Sequence, residues 1–166
     1  MTDLMTGRED LKEVNLIVFV GGFSNSDVLG SAKGWAGAFL YNPKAKAALD
    51  NFYNRKDTLS LGVCNGCQLM MELGLINREV EMSKHPKMHH NGSGKFESTF
   101  ISISIPKNNS VMLSSYEGTT LGVWVAHGEG RFDLKTHSNY PVAATYSYQQ
   151  YPGNPNDSDK AKVVLI

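Results

Sequence analysis

The chain has 166 residues, 41% of them apolar and 19% charged, enough for one domain with a sizeable core. Sixteen basic and sixteen acidic side chains cancel, which excludes the strong net field that nucleic-acid or anionic-membrane binding draws on. No apolar run approaches the roughly 20 residues of a membrane span, and residues 1–14 lack the apolar stretch of a signal peptide. With only two cysteines, the expected setting is a reducing cytoplasm, with no membrane and no nucleic-acid partner.

Leu16 to Val20 is an apolar, β-rich run that stops at Gly21-Gly22, as a buried parallel strand entering a glycine loop would. Residues 27–41 are small and apolar, with Gly30, Gly34 and Gly37 weakening a helix. Asn42-Pro43 opens a better helix over Lys44 to Tyr53, whose apolar positions are Ala45, Ala48, Leu49 and Phe52. Thr58 to Val63 is a second buried strand, Cys64 stands at its end, and Asn65 to Leu73 reads as a helix. This alternation predicts an α/β fold, a mostly parallel sheet flanked by helices.

The second half has another texture. His85 to Lys95 is a polar loop rich in His and Gly, and Phe96 to Ile105 alternates like a strand with one wet face. Leu121 to Ala126 is a third apolar run, halting at His127-Gly-Glu-Gly-Arg131. Val142 to Tyr148 is a further strand, and "YPGNPNDSD" after it is turn-rich. Ligands of open α/β sheets sit beyond the carboxyl ends of the strands. The loops at Gly21-Gly22-Phe23, Cys64-Asn65-Gly66 and His127 to Gly130 are therefore expected along one sheet edge.

Cys64 and Cys67 allow four readings. With Gly62 and Gly66, Cys64 forms G-x-C-x-G at a strand-to-helix turn, the thiol counterpart of a nucleophile elbow. A helix N-terminus favours an anion such as a thiolate, and its free N–H groups can hold an oxyanion. Cys67, one turn into the helix, is then a small packed hydrophobe. The pair also matches a C-x-x-C redox motif or half of a metal site, and two inert buried thiols are the bland alternative.

The stretches "GGFSNSDVLGSAKGWA", "LGVCNGCQLM" and "VAHGEGRF", in that order and followed by "YPGNPN", resemble the class I glutamine amidotransferase (glutaminase) domains of the phosphoribosylformylglycinamidine synthase family. The resemblance covers residues 1–159 as a partial domain and leaves residues 160–166 as a divergent tail. It implies flavodoxin-like layering with an antiparallel extension in the second half. It also implies an activity: glutamine is hydrolysed to glutamate, and the ammonia feeds an ATP-dependent synthetase domain, fused or separate, in purine biosynthesis. Cys64 would be the nucleophile, passing through a glutamyl thioester. Gly22 and Asn65 would supply oxyanion N–H groups, Phe23 and Gln68 would shape the glutamine pocket, and His127, Gly128 and Glu129 would grip the substrate's α-amino and α-carboxylate groups. ATP and magnesium would belong to the synthetase; Gly21-Gly22 lacks the Lys and Ser/Thr of a phosphate loop, and no cofactor or metal is expected in this chain.

Two departures from the family pattern bear on the chemistry. The family has a strand and helix before the segment matching Met1, and after the Asn-Pro-Asn stretch a His-Pro-Glu-like motif that supplies the base. A thiol nucleophile needs such a base, and an acid for the departing ammonia. His127-Gly-Glu129 has His-x-Glu spacing, but the resemblance makes His127 a pocket residue. His85, His89, His90 and His137 are expected mostly in solvent. The expectation is thus an impaired or inactive glutaminase when isolated, the alternative being a non-catalytic glutamine-binding or docking module. Apolar surface left by a missing strand is expected to make the isolated chain marginal or aggregation-prone.

Overall fold

The computed structural model describes residues 1–76, 78–134, 140, 142–155 and 162–163. It falls into two compact units, residues 1–76 and 77–166.

The first unit runs α1 (Thr2–Thr6), β1 (Leu16–Phe19), a 3₁₀ turn (Ser24–Asp27), α2 (Lys33–Leu40), α3 (Pro43–Asn54), β2 (Leu59–Gly62) and α4 (Asn65–Glu72). β1 and β2 pair in parallel, Leu16 opposite Leu59 and Phe19 opposite Gly62. Helix α3 starts where the Asn-Pro signal places it: the Asn42 side chain accepts from the N–H groups of Lys44 and Ala45 at 3.1 and 3.0 Å, and Pro43 takes the first position, where no N–H is needed. Its buried residues are the expected four, Ala45, Ala48, Leu49 and Phe52. Beneath the sheet Phe19 is the hub, edge-on to Trp35 at 6.2 Å and to Phe39 at 6.3 Å. The entries of the two strands are tied together. Arg55 donates to the carbonyls of Leu11 and Val14 and forks onto Asp57, while Asn15 donates to the Asp57 carboxylate at 2.7 Å.

The second unit is antiparallel. β4 (Glu97–Ser104) pairs along its length with β5 (Thr120–His127), β7 (Ala144–Tyr146) pairs with β4, and β8 (Lys162–Val163) with β7. A separate pair joins β3 (Lys87–His89) to β6 (Arg131–Asp133). Ile101, Ile103, Ile105, Ala144 and Tyr146 form the buried core, with Leu121, Val123 and Val125 packed against it. The opposite face of β4 and β5 alternates outward as a half-wet sheet should, Phe100 facing Trp124.

The chain is α/β, as predicted, but a mostly parallel sheet is not what the described residues form. Parallel pairing among them is confined to β1 and β2; the remaining pairs are antiparallel. This corrects the single-edge argument for the third loop. β5, which carries His127 at its end, lies in an antiparallel sheet, so the rule for carboxyl ends of parallel strands does not place that loop. The predicted antiparallel extension is present. The predicted loop over His85 to Lys95 contains β3, and residues 2–6 are helical, which their polarity had hidden. His137 and most of the predicted tail, residues 160–166, lie outside the described residues; Lys162 and Val163 of that tail form β8. Leu16, Val18, Val20, Leu59 and Val63 are exposed, so the β1–β2 pair shows bare apolar surface.

Candidate active site

The elbow is built by backbone. Cys64 has φ 55° and ψ −115° and precedes the first residue of α4, and the Gly66 N–H returns to the Val63 carbonyl at 2.9 Å. That is a type II′ turn with a non-glycine residue where glycine is normally needed, a strain of order 1–3 kcal/mol. The glycines on either side are required by space. A Cβ on Gly66 would lie 1.9 Å from the Phe19 carbonyl oxygen, and one on Gly62 would lie 2.7 Å from the Met70 sulfur and 2.9 Å from the Cys67 Cα. The outcome is an exposed thiol on a tight strand-to-helix turn.

The first glycine loop meets this turn. A Cβ on Gly21 would stand 3.0 Å from the Cys64 Cβ, so Gly21 is there for closeness; Gly22, at φ +119°, is there for conformation. Asp27, which sequence reasoning passed over, ties the loop to the elbow. Its carboxylate accepts from Asn65 Nδ2 at 3.1 Å and from the Ala32 N–H at 3.1 Å, at the start of α2. Asn65 is buried and also donates to Gln68 Oε1 at 3.1 Å, while its own side-chain oxygen is buried without a hydrogen-bond partner. Phe23 is 85% exposed, so it is not a core residue. The first unit therefore brings together Cys64, Asn65, Gln68 and the Gly21-Gly22 loop.

Cys67 behaves differently from its neighbour. Burial, with Cys64 adding in the same direction, pushes its thiol up to about 11, which keeps it protonated at neutral pH. Among the described residues no group of three or more His, Cys, Asp or Glu is positioned to hold a metal.

His127, Gly128 and Glu129 belong to the second unit. His127 ends β5 opposite Glu97, half-buried. Burial holds its imidazole below the usual 6.5, opposed by a backbone hydrogen bond and by the Glu97 carboxylate. Its Nδ1 stands 3.1 Å from Asn91 Oδ1, and the Gly128 carbonyl accepts from the Asn91 N–H at 2.8 Å. Glu129 reaches the exposed His90, its carboxylate 3.1 Å from Nε2. The other histidines correct the expectation of solvent in part. His85 is 3% exposed and bonded to the Val80 carbonyl, and His89 contacts Asp133 at 3.3 Å.

A strained, exposed cysteine at a glycine-flanked strand-to-helix turn is the arrangement of a nucleophile elbow. The chain belongs to the CobB/CobQ-like glutamine amidotransferase domain family, whose sequence profile matches residues 1–165. Within that class it is similar to phosphoribosylformylglycinamidine synthases. It is 41% identical to the Dictyostelium discoideum enzyme over 96% of this chain and 13% of that one, and 40% identical to the Drosophila melanogaster enzyme over 95% and 13%. A probable chloroplastic/mitochondrial counterpart of Arabidopsis thaliana is 48% identical over 79% of this chain. The chain thus spans about 13% of the length of the first two relatives. Among solved structures, PurLQS from Thermotoga maritima matches with a TM-score of 0.69 at 25% identity, over 93% of this chain and 63% of that one.

Gly66→Ala is expected to cost about 3 kcal/mol or more, since its methyl group would meet backbone that cannot swing aside; urea denaturation measures it. His127 has a folded pKa below the unfolded value. Its contribution to stability is therefore present above about pH 6.5 and lost as pH falls through the folded midpoint. A His127→Gln chain should lose less stability over that window, and the His127 ring proton should titrate below 6.5 in NMR.

Proposed function

We propose that the chain carries the glutaminase half-reaction of a phosphoribosylformylglycinamidine synthase. The observation that carries the reading is the backbone of Cys64, strained to project its thiol from the elbow. The sulfur attacks the side-chain carboxamide carbon of glutamine, a C–S bond forms, and the C–N bond breaks. The leaving nitrogen gains a proton and departs as ammonia. Water then cleaves the thioester, giving glutamate and restoring the thiol. The N–H groups of Gly22 and Asn65 hold the oxyanion, Phe23 and Gln68 shape the pocket, and His127, Gly128 and Glu129 hold the amino-acid end of the substrate.

Ammonia passes to a synthetase domain, fused or separate, which supplies the sites for ATP and magnesium in purine biosynthesis. In this reading residues 1–159 are amidotransferase domain, residues 160–166 are a divergent tail, and the work is cytoplasmic. β1 and β2 belong to a larger, mostly parallel, flavodoxin-like layered sheet; the exposed Leu16, Val18, Val20, Leu59 and Val63 support this, because parallel strands are normally covered on both faces. Among the described residues no helix is long and apolar enough to cross a membrane.

One observation favours a second reading, a non-catalytic glutamine-binding module. His127 Nδ1 faces Asn91 and Glu129 pairs with His90, so the His-x-Glu run does not form a base–carboxylate pair of its own. Ammonia release from glutamine, measured on the chain with an ATP-dependent synthetase of the family added, separates the two. Glutaminase activity predicts turnover that falls about 10³-fold or more in Cys64→Ser and persists in Cys67→Ala. Glutamine binding with no turnover in any variant establishes the binding module.

A further inference from the structure

Asn91 is 3% exposed, and all its polar groups are engaged. Its backbone N–H donates to Gly128 at 2.8 Å, and its carbonyl accepts from Gly94 at 2.9 Å. The side-chain Nδ2 donates to the carbonyls of His127 at 2.7 Å and Lys95 at 2.9 Å. Oδ1 accepts from the Gly130 N–H at 3.3 Å and stands 3.1 Å from His127 Nδ1.

These partners fix which end of the amide is which. Two carbonyl oxygens need the NH₂ group, and the Gly130 N–H needs the oxygen. An amide oxygen has no hydrogen to offer, so the nitrogen facing it must carry one. In a neutral imidazole with hydrogen on Nδ1, Nε2 keeps the lone pair. A Cβ on Gly130 would come within 2.7 Å of the His127 Cγ and 2.8 Å of Nδ1, so the bare Gly130 backbone lies against the ring.

We propose that Asn91 is a positioning residue that holds His127 in the Nδ1–H tautomer, so that Nε2 meets a ligand as a hydrogen-bond acceptor. Within the glutamine pocket put forward above, on which this step rests, the matching substrate group is the α-ammonium. The α-carboxylate has no hydrogen for Nε2 and is held by other groups. The second glycine of the H-G-E-G run is thereby also explained, as the residue that lets the clamped ring fit.

The test is two-bond ¹⁵N–¹H correlation NMR on the full chain with labelled histidine, without ligand, above the imidazole midpoint. The wild-type chain should show His127 with hydrogen on Nδ1 alone. Asn91→Asp keeps an acceptor facing the ring and should keep the Nδ1–H signal. Asn91→Ala should lose the single tautomer and give a mixture, with the amide signals of Ile101 and Val123 reporting that β4 and β5 are intact. A wild-type Nε2–H tautomer overturns the proposal, as does a folded Asn91→Ala chain whose tautomer is unchanged. If Asn91→Ala does not fold, the wild-type and Asn91→Asp tautomers decide: Nδ1–H in both supports the clamp, Nε2–H in either overturns it. Because no ligand is present, failure of glutamine to bind would count against the pocket and leave the clamp standing.

Discussion

The first turn of α4 lies so close to the end of β1 that a single methyl group on Gly66 would sit 1.9 Å from the Phe19 carbonyl oxygen. The rest of the elbow depends on that backbone-to-backbone approach. The same carbonyl accepts the Val63 N–H at 2.9 Å, so the exit of β2 and the start of α4 are both referenced to one peptide group. Between them the chain must reverse within a single turn, and Cys64 takes the conformation that L-residues avoid. The strain persists because the surroundings over-determine it. Phe19 is buried against Trp35 and Phe39, and Leu69, Met70 and Met71 of α4 are buried as well. Strain at one residue is held by packing at six.

A comparable economy orders the second unit, with hydrogen bonds in place of close packing. The stretch His127 to Arg131 has little apolar character of its own, so its shape must come from polar partners. Asn91 supplies them from one buried side chain and its backbone, and Arg131 returns the favour by donating to the His90 carbonyl at 3.1 Å. Pairing of β3 with β6 brings the two polar loops side by side so that this network can close. A polar loop rich in histidine is thus an ordered wall rather than a solvated connection.

Much of the elbow was legible because its constraints are local. A strand, a glycine two residues before the cysteine and another two after it leave few conformations, and the structure adopts the expected one. The Asn42-Pro43 helix start was legible for the same reason. What escaped was long-range. Asp27 contacts Asn65 across 38 residues and Asn91 contacts His127 across 36, and nothing in the neighbourhood of either residue marks it as more than a turn former. The antiparallel extension was expected only from the resemblance, since the apolar run over β5 does not by itself fix a strand's direction. Cys67 was read as a bystander from its place one turn into the helix, where it is partly buried while Cys64 is exposed.

The central proposal is that Cys64 is the nucleophile of a glutaminase half-reaction. The most direct measurement is intact-mass labelling of the chain with a glutamine-like diazo ketone, mapped to the modified residue, with iodoacetamide reporting exposure of each thiol. The account predicts modification at Cys64 alone, blocked by excess glutamine. Alkylation of Cys64 by iodoacetamide with no reaction from the glutamine analogue, or labelling at Cys67 instead, would contradict it.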